Sequence, residues 1–92
     1  MSHIVVERQH ALERDVVRSL AEDLAESLAR QYDIRYRWSD DVLVFKRVGA
    51  HGRVIVDAQR VRVELDLGFL LTAFERTIRN EIESTLDEKL NA

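Results

Sequence analysis

Along this chain the spacing of apolar residues changes from two, to between three and four, and back to two. Each change marks an element. His3 to Arg8 alternates, with Ile4 and Val6 on one face, and predicts a first strand. From about Leu12 to Tyr32, Leu12, Val16, Leu20, Leu24 and Leu28 recur every four residues. Val17, Ala21, Ala25 and Ala29 widen that stripe, and acids and arginines fill the other side, so the spacing predicts an amphipathic helix. Alternation returns with Ile34, Tyr36 and Trp38 set against Arg35 and Arg37, a second strand. Ser39-Asp40-Asp41 reads as a turn and Val42 to Arg47 as a third strand. Gly49-Ala50-His51-Gly52 reads as a loop, Arg53 to Asp57 as a fourth strand and Asp57-Ala58-Gln59 as a tight turn. Arg60 to Leu67 is the clearest strand, with Val61, Val63, Leu65 and Leu67 on one side. After Gly68, a second helix is expected from Phe69 to Leu90, with Leu70, Leu71, Phe74, Ile78, Ile82, Leu86 and Leu90 on one stripe.

The order β-α-β-β-β-β-α is that of an α+β domain. Short turns make the last four strands an antiparallel meander. The first strand can join in two places. Beside the fifth it completes a uniform antiparallel sheet in the order 1-5-4-3-2; beside the second it needs a parallel crossover. The first arrangement is expected. Both helices have apolar stripes to bury, and one sheet face can take both: Ile4, Val6, Ile34, Tyr36, Trp38, Leu43, Phe45, Val54, Val56, Val61, Val63 and Leu65. Burial of Leu70, Phe74, Ile78 and Ile82 together with Leu20, Leu24 and Leu28 follows from this arrangement. The opposite face is then bare. By alternation it carries Arg35, Arg37, Lys46, Arg53, Arg60 and Arg62, with Val42, Val44 and Ile55 among them.

Composition narrows the function classes. The chain has 92 residues, 46% hydrophobic and 34% charged, which is room for one domain with a modest core. No cysteine is present, so thiolate metal sites, cysteine nucleophiles and disulfides are ruled out, which fits a reducing, cytoplasmic setting. The first residues lack the basic start and apolar run of a secretory signal, and no stretch is long enough for a membrane span. The net charge of −3 gives no overall pull toward nucleic acid. An RNA-binding sheet would also need exposed aromatics, and none falls on the bare face.

Chemistry-bearing residues are sparse. His3, His10 and His51 are far apart in the chain and show no metal-ligand spacing, so no metal is expected and surface histidines are the simpler reading. Asp40-Asp41 is explained by turn chemistry. The Gly49–Gly52 segment lacks the lysine of a phosphate loop. Tyr36 and Trp38, at alternating positions, belong to the core rather than to a stacking site. Only the bare face stands out. It is either solvated surface, its arginines paired with Asp57, Glu64 and Asp66 across strands, or a docking surface. As a docking surface it suits an acidic partner, a phospholipid-coated surface or a second copy of the chain in a homo-oligomer.

Several blocks resemble one family. Met1-Ser2-His3-Ile4 with Glu7-Arg8 and His10, then Tyr36-Arg37-Trp38, Leu43 and Phe45, are similar to the small bacterial proteins of the polyhydroxyalkanoic acid system family. So are Gly52-Arg53-Val54, Val61-Arg62-Val63, Glu81-Ile82-Glu83 and Leu86-Asp87. The most specific block is Leu65-Asp66-Leu67-Gly68-Phe69-Leu70-Leu71. The resemblance covers nearly the whole chain and departs most at the start of the first helix, around Glu13-Arg14. It implies a gene neighbourhood of polyhydroxyalkanoate synthesis and granule proteins, and no catalytic residue or cofactor. The expectation is a non-enzymatic binding or structural protein associated with storage granules or their proteins. The alternative is a ligand-binding module with a pocket between sheet and helices, taking an acidic apolar ligand such as a hydroxyacyl group. An enzyme comes third.

Overall fold

The computed structural model describes residues 2–90. Strand β1 (Ser2–Gln9) leads into helix α1 (Arg14–Tyr32). Four strands follow, β2 (Arg35–Ser39), β3 (Val42–Arg47), β4 (Ala50–Val56) and β5 (Arg60–Leu67). A 3-10 segment (Phe69–Phe74) then runs directly into helix α2 (Glu75–Leu90). The five strands form one antiparallel sheet in the order β1-β5-β4-β3-β2, as the sequence led us to expect.

The turns explain the register. Asp40-Asp41 joins β2 to β3 directly, with Asp40 left-handed at φ 54 and Ser39 paired to Val42. Val48-Gly49 joins β3 to β4, Gly49 supplying φ 87 and Arg47 pairing with Ala50. The segment Ala50-His51-Gly52, expected to be loop, is therefore strand. Glycine punctuates the pattern, but a two-residue hairpin needs only one of these glycines, and Gly52 serves elsewhere. At the β4–β5 connection the Asp57 carboxylate accepts from the backbone N–H groups of Gln59 and Arg60, at 2.8 and 2.7 Å.

Both helices lie on one sheet face. They run antiparallel to each other: Asp23 meets Lys89 at 3.6 Å, while Gln31 Nε2 donates to Glu81 Oε1 at 2.5 Å. Helix α2 is also tied to the edge strand β1, since Arg8 Nε donates to Asp87 Oδ1 at 2.7 Å. The core between the layers is filled by Ile4, Leu24, Leu28, Phe45, Leu65, Ile82 and Leu86, all fully buried. Tyr36 and Trp38 pack against this core, as expected. Trp38 also donates to Glu22 at 3.0 Å and carries the Arg18 guanidinium over its ring at 3.9 Å.

Two helical expectations need correction. The buried stripe of α1 is Val17, Ala21, Leu24, Ala25 and Leu28; Leu20 is half-buried and Val16 is exposed. A strict four-residue repeat turns by about 40° per step, so it cannot keep to one face over five positions. The stripe that stays buried follows alternating steps of four and three. In the second helical segment Ile78, Ile82 and Leu86 are buried, but Leu70 is 84% and Phe74 48% exposed. The chain begins there as 3-10, which has a different angular step and breaks the phase with the helix that follows. Leu71 N–H and Thr72 Oγ1 both donate to the Gly68 carbonyl, each at 3.1 Å, and hold that tight turn.

Candidate functional site

The bare face can be read row by row from the strand register. One row crosses the sheet as His3, Asp66, His51, Lys46 and Arg35. The next is Val5, Glu64, Arg53, Val44 and Arg37. The third is Glu7, Arg62, Ile55, Val42 and Ser39, and Gln9 with Arg60 begins a fourth. All nine residues assigned to this face by alternation lie on it.

Electrostatically the face has two halves. On the β1–β5–β4 side the cations are paired. Glu64 accepts from Arg62 Nε at 2.6 Å and from Arg53 Nε at 3.1 Å. Those two hydrogen bonds hold the Glu64 carboxyl below the usual carboxylate range, the Arg62 bond contributing most. Glu7 lies 3.7 Å from Arg60 and 3.9 Å from Arg62. Asp66 sits between His3, with which it is hydrogen-bonded, and His51 at 3.3 Å. On the β2–β3 side, Arg35, Arg37 and Lys46 form no ion pair among the described residues. With Tyr36 and Val44 they line a shallow open depression of about 300 Å³.

Sequence spacing missed the histidine–aspartate–histidine row. His3 and His51 are 48 positions apart in the chain, and only the β1–β5–β4 order brings both to Asp66. His51 therefore stands on a strand rather than at a loop tip. His10 sits elsewhere, its Nε2 hydrogen-bonded to the Asp57 carbonyl at 3.0 Å, where it fastens the β4–β5 turn. Among the described residues, no group of three or more histidine, aspartate or glutamate side chains has the arrangement of a metal site. Asp41, assigned above to turn chemistry, bridges Arg14 at 2.5 Å and Arg18 at 3.0 Å instead. The Arg14 bond leads in holding its carboxyl below the ordinary range. That ion pair ties the β2–β3 turn to the entrance of α1, whose N-cap Glu13 makes no side-chain cap of its own.

The geometry defines a two-layer α+β protein with one unlayered sheet face, half neutralised and half cationic. The family model described as "Putative polyhydroxyalkanoic acid system protein" matches residues 4–90, and the chain belongs to that family. No curated protein and no solved structure matches the chain. Among the described residues no helix is long and apolar enough to cross a membrane.

Proposed function

We propose that this is a non-enzymatic binding or structural protein of the polyhydroxyalkanoate system, working in the cytoplasm and docking on storage granules or on a granule protein. Family membership over residues 4–90 supports the system. The observation that carries the docking reading is the cationic half of the bare face. Arg35, Arg37 and Lys46 surround Val44 without internal counter-ions, so the fold leaves their charge for something outside it. Arg53, Arg60 and Arg62, with Ile55 and Val42 among them, form the neighbouring half, where acids of the same sheet already answer the charge. The alternative of a pocket between sheet and helices has no comparable support, because that space is occupied by the fully buried side chains of the core.

The test is co-sedimentation with isolated granules, together with localisation of the tagged protein in polymer-accumulating cells. The triple variant Arg35→Ser, Arg37→Ser, Lys46→Ser should melt like the parent and lose most of its granule binding. Binding by the parent should weaken as salt rises, since these exposed charges are screened over roughly 8 Å at physiological ionic strength. A triple variant that sediments like the parent at every salt concentration would remove the docking role of this half-face.

A further inference from the structure

One end of the sheet bears a cluster of exposed apolar side chains that the granule-docking reading does not use. Val48 in the β3–β4 turn is 91% exposed, Phe69 83%, Leu70 84% and Phe74 48%. Val48, Phe69 and Leu70 meet where the turn and the 3-10 segment touch, and Phe74 ends that segment. Gly68 N–H donates to the Gly49 carbonyl at 2.7 Å, and a Cβ built on Gly49 would lie 3.7 Å from Leu71 Cδ1, so the start of the 3-10 segment lies against the turn. The cationic half of the sheet reaches the same end, where Arg35, Lys46 and Val48 line one depression. Asp33 is the acid in that lining, and Arg47 beside it is engaged with the Tyr32 carbonyl at the end of α1.

We infer that this tip is an interfacial anchor, in which Val48, Phe69, Leu70 and Phe74 enter the apolar layer of an anionic lipid surface while Arg35 and Lys46 meet its headgroups. Two observations choose this occupant. Side chains more than four-fifths exposed project from the molecule. A rigid protein partner would need a pocket matched to them, whereas a fluid layer adapts. The unpaired cations beside the cluster require negative charge opposite, and a second copy would set Arg35 and Lys46 near the same cations of its twin. The tip lies beyond the Val44 depression and adds large, well-exposed apolar side chains to the half-buried Val42, Val44 and Ile55 of the sheet face.

The experiment uses the full chain and vesicles, without granules, so it is independent of granule association. Flotation is measured with phosphatidylcholine vesicles and with vesicles that also contain phosphatidylglycerol. The protein should float with the anionic vesicles, weakly with the neutral ones, and less as salt rises. The double variant Phe69→Ser, Leu70→Ser should lose at least about tenfold in partitioning, because it removes two large side chains from the apolar contact. Since both are exposed, its melting temperature should match the parent's. Arg35→Ser with Lys46→Ser should erase the preference for anionic over neutral vesicles. A parent that fails to float with anionic vesicles overturns the inference, as does a Phe69/Leu70 variant that floats like the parent. Sedimentation velocity supplies a further check. A parent dimer that the same variant converts to monomer, with no vesicle binding by either, would assign the tip to self-association and overturn the lipid role.

Discussion

Gly52 lies in the interior of β4, opposite Phe45 and Leu65. A Cβ built there would stand 2.2 Å from the Glu64 carbonyl oxygen and 2.8 Å from the Leu65 Cα. Both are backbone atoms, so the strands themselves must separate to admit a methyl group. Gly52→Ala should therefore cost about 1–3 kcal/mol in denaturant unfolding, the range of an overpacked site. A variant as stable as the parent would show that β4 and β5 yield freely at this point. Acid sensitivity is also settled residue by residue. Asp41, Asp57, Glu64 and Asp87 all have carboxyls held below their ordinary range. For Asp57 the cause is the two turn N–H groups, and for Asp87 it is first the hydrogen bond from Arg8. A carboxyl depressed in the fold stabilises fully above its unfolded value and loses that contribution as pH falls through the folded one. Melting temperature should thus hold steady down to about pH 5 and fall below about pH 4. Asp41, Asp57 and Asp87 are largely open to solvent, so each of their contributions is small, while Glu64 is only 19% exposed. Asp41→Asn should lower the neutral-pH melting temperature slightly and converge on the parent in acid; an equal difference at both pH values would point to lost geometry rather than lost charge.

At the scale of elements, strands were more legible than helices. The boundaries of β3 and β5 follow directly from alternation, because a period of two keeps its phase without drift. Helical phase drifts, and only packing selects the residues that stay under the sheet. Two substitutions measure this. Ile78→Ala should cost about 2–5 kcal/mol, since Ile78 is 3% exposed in the α2 stripe. Leu70→Ala should change stability by less than about 0.5 kcal/mol, although both leucine and isoleucine fall on the same four-residue repeat. Equal losses at the two sites would restore the continuous helix expected from the repeat. Denaturant melts of both variants decide it.

For the whole molecule, the contrast is between the two halves of the bare face. Arg60→Ser with Arg62→Ser removes as many arginines as Arg35→Ser with Arg37→Ser, yet the first pair already faces Glu7, Asp57 and Glu64. In granule sedimentation the first variant should retain most of the parent's binding and the second should lose much of it. If the two lose binding alike, net charge rather than the arrangement of the face governs attachment. Alternation could place all nine residues on this surface, but it could not divide them: Arg62 meets Glu64 on its own strand and Arg53 meets the same acid across a hairpin, while Glu7 reaches Arg60 and Arg62 only through the β1–β5 register.

What the sequence determined by itself was the set of strands, the sheet face each strand side chain takes and the antiparallel meander β5-β4-β3-β2, and it favoured, without fixing, the place of β1 beside β5 that the structure shows. These follow from local spacing, short turns and the single helix between β1 and β2, which leave few ways to bury two apolar stripes. The tertiary structure alone decided three things: the meeting of His3 and His51 at Asp66, the pairing of some arginines but not Arg35 and Arg37, and the exposure of Phe69 and Leu70. Each depends on how strands and layers meet, and the close Gly68–Gly49 contact at the entrance to the 3-10 segment is one such meeting. Periodicity along a chain records which side a residue faces; what it meets there is fixed only when remote strands come into register.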